Sequence, residues 1–341
     1  MTANVGPIIG IGMIGYGRMG QIHRHVLSGL EGVEVRAVYD PDAETARDGK
    51  LSVTVDEILS DPAIDAVYIS TPNHVTAEIS IAALKAGKHV FSEKPLGRSV
   101  KDARRVAQAS ADRPDQVFKV GFNHRYLAHY EEAKHFIREG TYGRLLWVRG
   151  RYGKGSDPAY GASWRADRER SGGGILFDQG IHMLDLMIDL TGPDFVEVQS
   201  MCAAQRWDKM NTEDNAFILL RNEAGQMLSM HASLTQYTHI FSMELGLENG
   251  LMEISGIHSS TRSYGKEQLR ISHSWRNNVC KEEAITYATE DYYTIRAESE
   301  DFIDCIRGKR QPEIGTIENA VHVMALIERI YENNTVFSKA S

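Results

Sequence analysis

The sequence predicts an α/β chain of two domains: a doubly wound parallel-sheet domain over residues 1–123, then an α/β domain with an open, mainly antiparallel sheet over residues 124–341. Three observations carry this. The 341 residues exceed what a single core usually serves. Through the first third, apolar runs alternate with amphipathic stretches, as in repeated βαβ units whose strands are buried on both faces. Beyond Asn123, strand-like runs follow one another across short turns, the pattern of antiparallel pairing.

In the first domain, strands are expected at 8–14, 33–39, 66–70, 89–92 and 117–121, with helices at 19–30, 75–86 and 100–110. The helix at 75–86 stops at Ala86-Gly87, a usual glycine terminus. The second domain opens with a helix at 127–139 and a strand at 145–151. A polar, glycine-bearing segment then runs to Gly174, too long for an idle connection. A helix at 175–190 precedes strands at 195–203, 216–220, 226–233 and 242–247, with turns at 222–225 and at Asn249-Gly250. Helices at 292–307 and 316–331 close the chain, divided by Gly308-Lys309-Arg310-Gln311-Pro312, and the C-terminal helix is free to pack back on the first domain. The cleft between two such domains is the default ligand site.

Composition narrows the function classes. Apolar residues at 42% and charged residues at 25% describe an ordinary globular protein. A net charge of -8 argues against a duplex nucleic acid partner and leaves room for a small anionic ligand. Cys202, Cys280 and Cys305 lack CxxC spacing, so neither a disulfide framework nor a cysteine zinc site is indicated, and a reducing cytoplasm fits. The first apolar run has no basic flank and reads as a buried strand rather than a signal peptide. No stretch reaches the roughly 20 apolar residues of a membrane helix.

The segment MIGYGRMGQIH places Gly15, Gly17 and Gly20 in GxGxxG spacing between a strand and a helix. Gly15 permits the tight turn, Gly17 lets backbone approach a pyrophosphate, and Gly20 allows close packing of helix on strand; Arg18 and Met19 complete the loop. Asp40, 20 residues after Gly20, ends the second strand, where an acid accepts the adenosine ribose hydroxyls and repels a 2′-phosphate. The first domain is therefore expected to be a Rossmann domain binding NAD in preference to NADP. The competing reading makes Asp40-Pro41-Asp42 a simple turn initiator.

Ser70-Thr71-Pro72-Asn73-His74 and Glu93-Lys94-Pro95 follow the next two strands, at the edge where doubly wound sheets hold ligands. Pro95 restricts Lys94 to extended backbone and admits a cis bond, which would fix an ammonium at the cleft floor; the alternative is a surface lysine in a loop. In SGGGILFDQGIHMLDLMIDL, Asp178, His182 and Asp185 fall at i, i+4 and i+7 on one helical face, with Gly180 leaving space beside them. A carboxylate one turn from an imidazole can orient the ring for general acid/base work. The bland counterpart is a buried histidine satisfied by a structural aspartate, and Asp185 fits that structural role best. A divalent ion on these residues is weighed and set aside, because hydride transfer needs none and the lysine repels a cation. His231 and His239 have no spaced partner, and His23 and His25 sit in the first helix. Gly121-Phe122-Asn123-His124-Arg125-Tyr126 crosses the domain junction, with Lys154, Trp164 and Arg165 further on. Arg125, Lys154 and Arg165 can meet substrate hydroxyls or a phosphate and Trp164 can stack on a sugar face, or they form interdomain salt bridges.

With these residues in place, the chain resembles the glucose-fructose oxidoreductase, inositol dehydrogenase and rhizopine catabolism (Gfo/Idh/MocA) family over nearly its whole length. The carriers are GYGRMG, STPNH, SEKPLG, GFNHRY, WR, GGGILFDQGIHMLD and FIDCIRGKRQP, in that order. The resemblance implies a nicotinamide cofactor and redox chemistry at a secondary alcohol or ketone of a sugar or polyol, with Lys94, Asp178 and His182 as the catalytic group. It implies cofactor contacts at Gly15, Gly17, Arg18, Met19, Gly20, Asp40, Thr71, Pro72, Asn73, His74, Glu93, Lys94 and Asn123, and a dimer or tetramer formed through the open sheet. In the implied mechanism His182 exchanges the hydroxyl proton, Lys94 polarises the oxygen and Asp178 orients both. RYGKGSDPAYGASWR is similar to members associated with nucleotide-sugar and surface-glycan biosynthesis, so a sugar nucleotide is the first expectation for the substrate and an inositol or other free polyol the second. Related chemistries stay open: an NAD-dependent glycosidase, or a dinucleotide-binding regulator without catalysis, although such repressors tend to lack the lysine and histidine.

Overall fold

The computed structural model describes residues 7–42, 54–155, 160–207, 210–259, 263–276 and 279–334. Along the chain come β1 (Ile9–Ile14), α1 (Arg18–Leu27), β2 (Val33–Tyr39), α2 (Val55–Ser60), β3 (Ala66–Ile69), α3 (Asn73–Lys85), β4 (His89–Glu93), α4 (Val100–Ala111) and β5 (Phe118–Gly121). Then follow α5 (Ala128–Arg138), β6 (Leu145–Gly155), α6 (Arg168–Ser171), α7 (Ile181–Thr191), β7 (Phe195–Ala203), β8 (Asn215–Asn222) and β9 (Met227–Gln236). The last elements are β10 (Ile240–Leu247), β11 (Gly250–Ser255), β12 (Gln268–Arg276), β13 (Val279–Thr286), α8 (Tyr293–Ile306) and α9 (Ile317–Glu332). Two units result: Met1–Asn123 with Thr294–Val321, and His124–Tyr293 with His322–Ser341.

The first unit is built on a parallel sheet of order β2-β1-β3-β4-β5. All six residues of β1 are buried, as a strand covered on both faces requires. The register sets the strand ends side by side: Ile14 pairs with both Tyr39 and Ile69, Ile69 with Ser92, and Glu93 with Gly121. The loops carrying the glycine motif, Asp40, Thr71 and Lys94 therefore leave from one edge, the carboxyl edge where ligands of such sheets bind. Tyr68 and Phe91 stack at 4.6 Å, and Phe302 of α8 meets both rings edge-on at 5.6 and 5.7 Å. This packing places residues 294–321 in the first unit, whereas the sequence reading drew the boundary at 123 and let only the C-terminal helix pack back.

The second unit holds an eight-stranded sheet of order β13-β12-β11-β10-β6-β9-β8-β7. Its neighbours are antiparallel except β6 and β9, which run parallel. Residues 181–188 of α7 are buried without interruption, which fits a helix apolar on all sides. It packs where Gly150 of β6 leaves room; a Cβ there would lie 2.7 Å from both Met183 Sδ and Met187 Cε.

The elements differ from the sequence reading in four places. The helix expected at 175–190 is a π-helical turn over Leu176–Gly180 followed by α7. The strand expected at 145–151 continues to Gly155. α2, missed in sequence, is only six residues long and is held by a capping box between Thr54 and Glu57. β11, β12 and β13 were also missed; β13 carries charge on exposed positions and gives little apolar periodicity, and the alternation of β12 is brief, through Leu269 and Ile271. Of the long polar segment, residues 156–159 lie outside those described, and the rest forms 3₁₀ turns at Tyr160–Ala162 and Trp164–Ala166 and then α6. Among the described residues, no helix is long and apolar enough to cross a membrane.

Candidate active site

In the first unit the chain leaves β1 at Gly15, whose φ of 91° and approach to the Ser70 carbonyl oxygen, 2.5 Å from a would-be Cβ, exclude other residues. Gly20 presses α1 onto the same turn, its would-be Cβ 2.3 Å from the Gly15 oxygen. Gly17 is the opposite case. Nothing lies within 4 Å of the Cβ it lacks, and no side chain caps the helix that starts after it. A helix N-terminus with open space before its amides is a seat for a phosphate group. Asp40 accepts the Tyr16 amide at 2.6 Å and the Asp42 amide at 2.9 Å, so it braces the glycine loop and starts the Asp-Pro turn together. A carboxylate has about four acceptor positions, which leaves capacity for ribose hydroxyls.

The remaining first-unit candidates line the same sheet edge. The Thr71 and Thr76 hydroxyls lie 3.2 Å apart, Pro72 occupies the N-cap position of α3, and Asn73 and His74 form its first turn. Glu93 ends β4 and accepts from His23 Nε2 at 2.7 Å; Lys94 follows, half-buried, with a cis bond to Pro95. Asn123 donates from Nδ2 to Thr294 Oγ1 at 3.1 Å, Arg18 is exposed and Met19 half-buried.

In the second unit Asp178 sits within the π-helical turn. Lys154 Nζ lies 3.2 Å from its Oδ2 and Arg165 Nε 3.5 Å from its Oδ1, while the Tyr160 hydroxyl approaches Oδ2 at 3.4 Å. Burial and then the charge of Asp178 keep the Tyr160 hydroxyl protonated well above the ordinary phenol range, so it stays a donor. Arg165 also covers the Trp164 ring at 4.5 Å. His182, on the first turn of α7, is buried and stacks on His124 with centroids 3.9 Å apart and planes 19° from parallel. His124 Nε2 meets the Tyr152 hydroxyl at 3.1 Å.

The π-helical turn has its own anchor, Glu213. Its carboxylate accepts the Gly174 amide at 2.9 Å and the Leu176 amide at 3.0 Å, together with the Tyr331 hydroxyl at 2.9 Å. Burial pushes this carboxyl up, and the hydroxyl and amides pull it back. A Cβ on Gly174 would fall 2.0 Å from the Glu213 carbonyl oxygen, and one on Gly173 2.2 Å from the Tyr331 hydroxyl. The glycine run is thus a packing requirement at the entrance to the turn that bears Asp178.

Arg125 needs a correction. Its side chain is 4% exposed, and its guanidinium is spent on Asp185, through Nε–Oδ2 at 2.7 Å and Nη2–Oδ1 at 2.6 Å, and on Asp189 at 2.9 Å. Asp189 also accepts Lys134 Nζ at 2.5 Å and the Tyr130 hydroxyl at 2.6 Å. Among the described residues its carboxylate partners lie in the second unit, so its charge is already matched there by two aspartates. Sequence reasoning gave no role to His124, Tyr152, Tyr160 or Glu213. His124 stood inside a quoted motif, whereas Glu213 lies in a connection with no periodic signal.

Two family models match. Residues 9–122 fit the oxidoreductase family with an NAD-binding Rossmann fold, and residues 130–271 fit the GFO/IDH/MocA C-terminal domain, together more than half of the chain. The chain belongs to the Gfo/Idh/MocA family. Among relatives, it is 37% identical over 201 residues to a levoglucosan dehydrogenase of Pseudarthrobacter phenanthrenivorans, covering 54% of this chain and 51% of that one. It is 30% identical over 229 residues to the myo-inositol 2-dehydrogenase of Thermotoga maritima, covering 64% and 66%. The chain thus spans about half to two thirds of the length of these Gfo/Idh/MocA relatives. A levoglucosan dehydrogenase in complex with NADH and levoglucosan shares the fold, with a TM-score of 0.85 at 24% identity over 98% of both chains.

Two outcomes are expected. Gly17→Ala adds a methyl group to open space, so the thermal midpoint holds while NADH affinity falls at least about tenfold, about 1.4 kcal/mol, in a fluorescence titration. An unchanged affinity would remove Gly17 from the cofactor seat. Arg125→Ala leaves Asp185 buried without its cation and costs about 3–5 kcal/mol, read as a lower urea midpoint.

Proposed function

We propose that this protein is an NAD(H)-dependent oxidoreductase that moves a hydride at a secondary alcohol or ketone of a sugar or polyol. The observation that carries the reading is the open, uncapped N-terminus of α1 at Gly17 with Asp40 bracing the loop beside it, a fitting seat for a dinucleotide without a 2′-phosphate. When bound, the nicotinamide supplies the hydride donor or acceptor. The chain supplies the rest. His182 exchanges the proton of the reacting hydroxyl, and the stack on His124 holds its ring plane. Lys94 polarises the oxygen as its charge develops. Asp178, with Lys154, Arg165 and Tyr160 around it, presents a fixed array of charge and donors to sugar hydroxyls, and Trp164 an apolar ring face.

The relatives' names favour a free sugar or cyclic polyol over the sugar nucleotide that sequence reading put first. A small-molecule substrate and a cytoplasmic location complete the reading. His182→Ala and Lys94→Ala are each expected to lower kcat by about 10²–10⁴-fold, with NADH binding retained in His182→Ala; full turnover in either would discard that residue's role. The substrate panel is read by NADH absorbance and contains inositols, levoglucosan, UDP-, GDP- and CMP-linked sugars, and a chromogenic glycoside. Release of the chromophore without net NADH formation would instead support an NAD-dependent glycosidase, and NADH binding with no turnover on any member a regulator.

The sheet of the second unit supports a homodimer or homotetramer. Val196 and Met201 of β7, Phe217 and Leu219 of β8 and Met227 of β9 expose between 48% and 72% of their surface, and Met201 pairs directly with Phe217. Such a row of apolar side chains marks an interaction face. Phe217→Lys combined with Leu219→Lys is expected to yield a smaller species than the wild type in analytical ultracentrifugation; equal masses would exclude this face.

A further inference from the structure

Three titratable side chains meet inside the first unit behind the Glu93-Lys94-Pro95 turn: His23 of α1, Glu93 of β4 and Glu298 of α8. One nitrogen or carboxylate oxygen from each lies within 4.8 Å of the others. His23 is 0% exposed and Glu298 1%, while Glu93 is half-buried. His23 Nε2 and Glu93 Oε1 are hydrogen-bonded at 2.7 Å. Among the described residues, His23 Nδ1 and both carboxylate oxygens of Glu298 have no hydrogen-bond partner.

The surroundings decide where the protons are. Tyr68 of β3 and Phe91 of β4 flank the imidazole at 5.3 and 5.1 Å. Lys119 of β5 is the cation near Glu298, and its ammonium is paired with Asp301. An ionised carboxylate buried without a donor is strongly disfavoured, and a second carboxylate close by adds repulsion. Burial first, and the charge of Glu93 second, hold the Glu298 carboxyl protonated far above the usual carboxylate range, against the weaker pull of Lys119. The trio is not arranged as a metal site. Two ligands each about 2.0 Å from a tetrahedral ion stand about 3.3 Å apart, and the His23–Glu93 contact is shorter than that.

We propose that His23, Glu93 and Glu298 form a buried cluster in which a neutral Glu298 lies beside the His23–Glu93 hydrogen bond and so lets that bond hold the Glu93-Lys94-Pro95 turn against α1. The proposal deepens the reading of Lys94 as catalytic and rests on it. His23 Nε2 and Glu93 Oε1 keep their hydrogen bond, and a neutral Glu298 can lie beside both without repulsion. Glu298 is a positioning residue. When it ionises, two carboxylates face each other within 4.8 Å, Glu93 is driven from His23, and the lysine next in sequence moves with it. Because α1 also offers its N-terminus to the dinucleotide, one hydrogen bond ties the cofactor-binding helix to the lysine turn.

Glu298→Gln, the neutral isostere of the protonated acid, is compared with the wild type. Infrared difference spectra at pH 7 are expected to show a protonated-carboxyl stretch in the wild type that the variant lacks; carboxylate bands alone overturn the cluster. The wild-type kcat is expected to fall at alkaline pH as Glu298 ionises, and E298Q to move that limb upward by at least one pH unit; coincident limbs overturn the positioning role. If E298Q does not fold, ¹³C-labelled glutamate δ-carbons of the wild type decide the protonation, since no signal at the protonated position at pH 7 is equally fatal. Lys94→Ala is run alongside: full turnover there defeats the catalytic reading of Lys94, whereas the infrared band still reports on the cluster itself.

Discussion

The register of the parallel sheet is the constraint on which the first unit depends. Because Ile14, Tyr39, Ile69 and Ser92 line up in one row across four neighbouring strands, the loops after those strands open from one edge, and each motif inherits its place from backbone hydrogen bonds. A one-residue slip of β4 would send Glu93 and Lys94 to opposite faces of the sheet from those they occupy. The glycines serve this register. Gly10 and Gly12 let β1 approach its cover closely, and would-be Cβ atoms there lie 2.0 Å from the Ala63 oxygen and 2.5 Å from Ile58.

In the second unit the comparable constraint is a single buried carboxylate. Glu213 takes backbone donors that a helix start leaves over, and it does so for a π-helical turn rather than a regular one. Asp178 lies in the π-helical turn and His182 in the first turn of α7, so the two residues present their side chains from different helical geometries. Asp178 can then gather Lys154, Arg165 and Tyr160, while His182 stacks on His124.

Most of the first unit was legible because its signals are local: continuous apolar strands, a glycine stop at Gly87 and motifs directly after strands. The second sheet was half legible. Its inner strands alternate cleanly, as β8 does, but β13 hides its pairing behind exposed charge. The site divided the same way. Residue type and position in the chain singled out Lys94, Asp178 and His182 as candidates, yet they could not separate Arg125, which looks like a substrate cation, from the buried partner of Asp185 and Asp189 that it is. Long-range partnership is the missing term: Glu213 and Glu298 act on segments far away in sequence, and no spacing rule reaches them.

The return of α8 to the first unit has a consequence for synthesis. Phe302 covers Tyr68 and Phe91, but about 170 residues of the second unit are made between β5 and that phenylalanine. At about 5–20 residues per second, the ribosome needs roughly 10–30 s to deliver it. Throughout that interval the nascent N-terminal sheet carries an aromatic surface still awaiting its lid.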